Sequence, residues 1–364
     1  MNNIFCIFPN LKNYSGHEFS FTPSLNALAK KIKYSIIYLT PKNNIKGLNN
    51  TKIYLPDYKA KFIHKLIYIY LVIKNLNLFF KKRPISSDDI MLIDGYTFLQ
   101  LTVLSIFFYF SSRKLNKILI YYRIDISKNV IKKILFNLCS LFLKNTCDKY
   151  YVLTDNKKLN NIFKKTYAFK SKVLPIPHIL RINTNQTKKN KKKFSLWIPG
   201  PFRPDKGITN TISIINMISN DEKFSIKVNP GFKKFFLKKI QNIEFTHTNL
   251  NQHRYSTMLA HSDAILIPYD HKSYRYRTSG IFLESISAKK ITLVSADTWM
   301  ADELAKNKLG QLIIKDWSND NFLKLIEKVY YDRKINHYLK NMQKKYLKIH
   351  GPKPFINDLE KIIL

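Results

Sequence analysis

Short apolar runs alternate along this chain with longer stretches whose apolar residues recur at helical spacing, the pattern of a β/α protein built on parallel sheets. Asn3-Ile4-Phe5-Cys6-Ile7-Phe8 reads as a first strand and Ile36-Ile37-Tyr38-Leu39 as a second. Ile90-Met91-Leu92-Ile93-Asp94, a helix from Phe98 to Phe110 and Ile118-Leu119-Ile120-Tyr121-Tyr122 form a βαβ unit. A helix over residues 130–143 and the strand Lys149-Tyr150-Tyr151-Val152-Leu153 follow. Farther on, Phe194-Ser195-Leu196-Trp197-Ile198 is bounded by Pro199-Gly200, as a buried strand entering a loop would be. Ile208, Ile212, Ile215 and Ile218 continue behind that loop at helical spacing. Ala264-Ile265-Leu266-Ile267-Pro268-Tyr269 and Lys290-Ile291-Thr292-Leu293-Val294 are two further strands, with a helix over residues 281–288 between them.

Two strand-to-helix loops concentrate the chemistry, and in open α/β sheets that is the end at which ligands bind. Gly200-Pro201-Phe202-Arg203-Pro204-Asp205-Lys206-Gly207 sets two cations three residues apart beside glycines that let a backbone come close. Such a loop suits a diphosphate, and it also suits a solvated turn in a chain this basic. The second loop ends at Ser279-Gly280, where a helix start offers free N–H groups and the positive end of its dipole. Arg277 competes there with Arg275 and Lys272 for an anion. Glu284, one of seven glutamates, falls one turn into that helix among Phe282, Leu283 and Ile286. A carboxylate so placed can accept both hydroxyls of a ribose, or it can simply complement the helix dipole.

These residues resemble the donor half of the GT-B glycosyltransferases, in particular the large retaining family that includes sucrose-phosphate synthases and many cell-surface sugar transferases. The first loop of that family reads G-x-x-x-x-x-K-G with an Arg, which Gly200, Arg203, Lys206 and Gly207 match. Its second motif carries a Glu-Ala pair and a Gly-Lys-Pro turn into a strand, which Glu284-Ser285 and Ala288-Lys289-Lys290 follow loosely. An earlier Glu of the motif is replaced here by Tyr276. The resemblance implies a GT-B fold, two Rossmann-like doubly wound parallel-sheet domains facing a cleft. It implies transfer of a sugar from a nucleotide-diphosphate donor to a cell-surface polysaccharide or glycolipid, by a retaining route. Arg203 and Lys206 would then stabilise the leaving diphosphate in place of a metal. Gly200, Gly207, Arg277, Ser279, Gly280 and Glu284 would hold the donor. Two other readings stay open: a nucleotide-sugar epimerase of the same shape, and a silent nucleotide-sugar-binding homologue, which Tyr276 favours.

The acceptor side is less marked. Gly16-His17 lies in the first strand–helix loop and reads equally as a sugar or acceptor contact and as a helix cap. Asp125, after the Tyr121-Tyr122 strand, could act as a base if the reaction inverts. The 364 residues suit two domains. Residues 1–187 form an acceptor domain, with Lys172-Val173-Leu174-Pro175-Ile176-Pro177 near its close. The charged stretch 188–193 is a linker, 194–340 a donor domain, and 341–364 a helical segment packing back on the first.

A net charge of +38 attracts anionic surfaces, although the Lys, Asn and Ile excess also looks like an AT-rich genome. Lys59, Lys61, Lys65, Lys74 and Lys81-Lys82-Arg83 flank an apolar, aromatic helix over residues 62–80. That helix can lie on a bilayer or present a lysine-rich face to water, and Lys65 with Lys74 argue against a span. Residues 96–110 are too short to span. Residues 1–10 do not read as a signal peptide, and Cys6, Cys139 and Cys147 fit reduced thiols in a cytoplasmic protein, peripheral at most to the inner face of a membrane. No Asp-x-Asp and no histidine cluster points to a metal. No Gly-x-Gly-x-x-Gly follows the first strand, and lysines spread over the whole chain form no nucleic-acid stripe. The expected partners are a nucleotide sugar, a glycan or lipid-linked acceptor and an anionic membrane surface.

Overall fold

The computed structural model describes residues 2–9, 11, 18–42, 45, 48–53, 62–111, 114–178, 193–219, 221–236, 241–248 and 250–364. Gly16, His17, Lys59, Lys61 and linker positions 188–192 lie outside the described residues. The chain divides into two units, Met1–Pro177 with Pro352–Leu364, and His178–Gly351.

In the first unit seven parallel strands run in the order β3-β2-β1-β4-β5-β6-β7. They are β1 Asn3–Ile7, β2 Ser35–Thr40, β3 Asn50–Lys52, β4 Ile90–Ile93, β5 Leu115–Tyr121, β6 Cys147–Thr154 and β7 Ser171–Val173. The central strands are near-continuous apolar runs because helices cover both faces, as in other all-parallel sheets. Those helices are α1 Glu18–Lys31, α2 Phe62–Lys82, α3 Phe98–Phe110, α4 Val130–Lys144 and α5 Lys157–Thr166. Thr97 and Gln100 close a capping box at the start of α3, and the Asn129 side chain caps α4. Phe80 of α2 packs between Phe5 of β1 and Phe107 and Phe108 of α3, so α2 and α3 are sealed to one face of the sheet.

The second unit carries six parallel strands in the order β10-β9-β8-β11-β12-β13. These are β8 Phe194–Trp197, β9 Phe224–Val228, β10 Ile243–Phe245, β11 Ala264–Ile267, β12 Ile291–Ser295 and β13 Ile313–Ile314. Its helices are α6 Ile208–Ser219, α7 Gln252–His261, α8 His271–Tyr274, α9 Gly280–Ser287, α10 Trp299–Lys306, α11 Asn321–Tyr331 and α12 Arg333–Ile349. Strands β8 and β11 are neighbours although α6, β9, β10 and α7 separate them in sequence, so the strand order reverses between them. Such a reversal parts the loops at the carboxyl ends and opens a crevice for a ligand.

The last helix, α13 (Pro352–Ile363), belongs to the first unit. Phe355, Leu359, Ile362 and Ile363 enter its core against Phe21, Leu25 and Leu28 of α1. The buried Lys117 ammonium donates to the Ile363 carbonyl, and Lys31 pairs with Glu360. Residues 341–349 are part of α12, which packs on α9 in the second unit.

Candidate functional site

The two loops singled out in the sequence follow β8 and β11, the pair at which the second sheet reverses. Leaving β8, the chain passes Gly200 at φ 117°, turns through the short 3-10 segment Pro204–Lys206, and reaches Gly207 at φ 72°. Left-handed backbone favours glycine, and here space demands it as well. A Cβ on Gly207 would stand 1.8 Å from the Pro268 carbonyl oxygen, and one on Gly200 would press on Ile281 at 3.3 Å. The glycines therefore let the loop after β8 lie directly against the loop after β11 and the start of α9.

This contact gathers three cations. Arg203 grips Asp205 with two bonds, Nε to Oδ1 at 3.0 Å and a terminal nitrogen to Oδ2 at 2.8 Å. Arg277 reaches the same Oδ2 at 3.5 Å, and its guanidinium lies over the Tyr274 ring at 5.2 Å. Lys206 is half-buried, with its ammonium 3.8 Å from the Tyr269 ring centroid and 4.8 Å from that of Tyr274. Withdrawal from water, with Arg203 and Arg277 nearby, lowers its pKa to about 7 against the opposing pull of Asp205. Of the three cations competing in the second loop, Arg277 is the one facing Asp205; Lys272 and Arg275 are exposed, and Arg275 stacks on Tyr276.

Ser279 caps α9 by accepting from the Phe282 N–H, so Gly280 opens a helix whose positive end lies beside the Gly200 turn. Glu284, one turn along α9, keeps 12% of its side chain exposed. Tyr255 of α7 donates to its Oε2 at 2.5 Å, and His178 Nδ1 lies 4.0 Å from Oε1. Burial pushes the Glu284 carboxyl up to about 7, with the Tyr255 bond acting the other way. Trp197, the last residue of β8, holds the Tyr255 ring edge-on at 5.0 Å. Asn229, after β9, donates to the Gly200 carbonyl and so fixes the turn from its far side.

Solved structures share this architecture over the whole chain. Sucrose-phosphate synthase from Thermosynechococcus elongatus aligns with a TM-score of 0.72 at 10% identity, over 100% of this chain and 98% of its own. HepE from Anabaena, solved in complex with UDP and glucose, aligns with a TM-score of 0.68 at 10% identity, over 100% and 99%. A glycosyltransferase from Rickettsia africae aligns with a TM-score of 0.66 at 12% identity, over 100% and 97%. The chain has the GT-B fold. No protein-family model matches the sequence, and no curated protein matches it.

In this GT-B chain the predicted donor residues Gly200, Arg203, Lys206, Gly207, Arg277, Ser279 and Gly280 come together at one strand reversal, with Glu284 one turn along the adjoining helix. Four partners escaped the sequence reading. Asp205 sits inside the first motif but reads as a turn residue until Arg277 is seen to reach it. Tyr255, His178 and Asn229 come from distant elements, and nothing in their spacing connects them to Glu284 or Gly200. In the first unit, Asp125 lies in the loop after β5 and accepts from the Ser127 N–H, closing a local turn. Arg123 beside it pairs with Asp94 at 3.5 Å and lies 3.9 Å from Asp155, all at the carboxyl edge of β4, β5 and β6. Burial raises the Asp94 carboxyl, with Arg123 pulling it back down. Among the described residues no group of three or more His, Cys, Asp or Glu side chains could hold a metal ion.

Proposed function

We propose that the chain is a glycosyltransferase that moves a sugar from a nucleotide-diphosphate donor to a surface polysaccharide or glycolipid acceptor. The observation that carries this reading is the set of three cations, Arg203, Lys206 and Arg277, converging where the β8 and β11 loops meet. HepE, of the same fold, was solved with UDP-glucose. When a nucleoside diphosphate leaves an anomeric carbon, negative charge grows on its β-phosphate oxygens. Arg203 can meet two of those oxygens with its fork, while Lys206 offers a point charge and the start of α9 offers N–H groups. Asp205 holds both guanidinium groups in orientation, and a diphosphate would share them with it or displace it. Glu284 would accept the ribose hydroxyls. On this reading the protein's own cations do the work of a metal, and the stereochemistry is retained, as the family resemblance implies. Asp94, Arg123 and Asp155 are candidate acceptor contacts in the first unit. Three buried, unpaired cysteines suit a reducing cytoplasm, and an acceptor carried on lipid would bring the protein to the inner face of a membrane.

Arg203→Ala and Lys206→Ala test the reading directly. Each should cost about 10²–10³ in turnover of the nucleotide sugar that most raises the melting temperature, with the fold intact. Turnover should also survive EDTA. Near-normal turnover in both variants would remove the diphosphate site, and restoration by Mg²⁺ after chelation would remove the metal-free mechanism. Tyr276 leaves one competing reading, a binding protein without catalysis; it predicts stabilisation by the nucleotide sugar with no product in any acceptor mixture.

A further inference from the structure

We infer that the outer surface of α2 and α4 docks on an anionic lipid bilayer, with the amino-terminal halves of both helices leading. This deepens, and rests on, the membrane-side placement of the acceptor proposed above.

The two helices lie on the same face of the first sheet, on either side of α3, which packs against both. Because every strand is parallel and each helix returns the chain to the start of the next strand, the amino ends of α2 and α4 lie toward the carboxyl edge of the sheet. That is the edge at which this class of sheet binds ligands. There α2 exposes Ile63, Ile67 and Tyr70, and α4 exposes Val130, Ile131 and Ile134, with Ile131 71% accessible. Scattered exposed apolar residues are ordinary, but a row on each of two helices flanking a third is not.

Charge decides what covers this surface. Lys65 on α2 and Lys132 and Lys133 on α4 are exposed among the apolar side chains, and none of α2, α3 and α4 contains an acidic residue. Among the described residues Asp125, five positions before α4, is bonded to the backbone of its own loop. A second copy of the chain would bring lysines against lysines on a molecule already at +38, and so repel. An anionic bilayer offers the complement of both features: headgroup charge for the lysines and an acyl boundary for the isoleucines. Helix α2 is long and apolar enough to cross a membrane by length and composition. Yet Tyr68, Val72, Leu76 and Phe80 are buried along its length, with Phe80 against β1 and α3. Its other side is therefore committed to the sheet, and it can lie on a bilayer but not thread one.

The test is co-sedimentation of the full chain with vesicles of mixed phosphatidylglycerol and phosphatidylcholine, against vesicles of phosphatidylcholine alone, with no donor present. Binding should require the anionic lipid and be released by about 0.5 M salt. The double variant Ile131→Asp with Ile134→Asp changes two exposed positions, and should lower partition at least about ten-fold at unchanged melting temperature. Phe110→Ser, 75% exposed at the opposite end of α3, should stay within about two-fold of the parent. Nucleotide-sugar binding by the double variant should not change, so a failed docking result and a failed donor-site result read out separately. Equal partition of parent and double variant would overturn the inference. So would salt-resistant binding to neutral vesicles, which would make α2 an inserted segment. A lipid-free dimer, seen by light scattering and abolished in the double variant, would assign the surface to a second copy.

Discussion

Burial lowers the Lys206 ammonium and raises the Glu284 carboxyl, so both groups titrate close to pH 7. For Lys206 the sign is clear: in the protein alone it loses its proton as pH rises through about 7, and a diphosphate beside it would hold that proton on. Nucleotide-sugar binding at pH 8 should therefore take up as much as one proton, measured by calorimetry in buffers of different ionisation enthalpy. Affinity should fall from pH 7 to pH 9, by at most about ten-fold per unit. A flat profile with no proton uptake would mean that Lys206 does not meet the diphosphate. Glu284→Gln keeps the size of the side chain and removes its charge. It should weaken the nucleoside diphosphate and the nucleotide sugar alike, by roughly 1.5–3 kcal/mol, since both carry the ribose. A loss confined to the nucleotide sugar would place Glu284 at the sugar ring. Arg203, Lys206 and Glu284 were legible in the sequence because each sits at a fixed offset from a strand end. Tyr255 and His178 were not, because Glu284 meets them only through tertiary packing. Asp205 was visible as a letter and hidden as a partner, since Arg277 reaches it from another loop.

Among the elements, the meeting of the β8 and β11 loops depends on a missing side chain. Gly207→Ala should lower stability by about 3 kcal/mol or more, combining the left-handed backbone cost with displacement of the Pro268 carbonyl. Thermal unfolding and nucleotide binding should both register it. Gly310→Ala, where a Cβ meets open space, should stay within about 0.5 kcal/mol. If the two variants melted together, the close approach would not be what holds the loops. The central strands β1, β4, β5, β8, β11 and β12 were readable because strands covered on both faces are apolar throughout. The edge strands β3 and β10 were not: Asn50-Thr51-Lys52 and Ile243-Glu244-Phe245 are short and carry polar residues, as exposed edges do. Helix α2 was expected over residues 62–80 and runs to Lys82, with Lys81 and Lys82 on its last turn.

At the scale of the whole molecule, the first unit is completed by residues that lie beyond the second in sequence. Removing residues 352–364 would take Phe355, Leu359, Ile362 and Ile363 out of its core. Each such side chain contributes about 1.5–3 kcal/mol, and a domain's whole stability is about 5–15 kcal/mol. The truncated chain should therefore show a separate early transition in calorimetry belonging to the first unit, with the second melting near its original temperature. A single unshifted transition would show α13 to be dispensable. The sequence marked a C-terminal helical segment but not where it divides, because α12 and α13 are similarly amphipathic and meet at His350-Gly351.

That return of α13 also orders events during synthesis. Ribosomes add about 5–20 residues per second. Between Pro177 and the emergence of α13, then, the nascent first unit waits on the order of ten seconds or more with the groove beside α1 uncovered. The second unit, contiguous in sequence, can close as it emerges. A chaperone acting on this protein as it is made should accordingly be found on the nascent amino-terminal half, and should leave it only after residues 352–363 have cleared the exit tunnel.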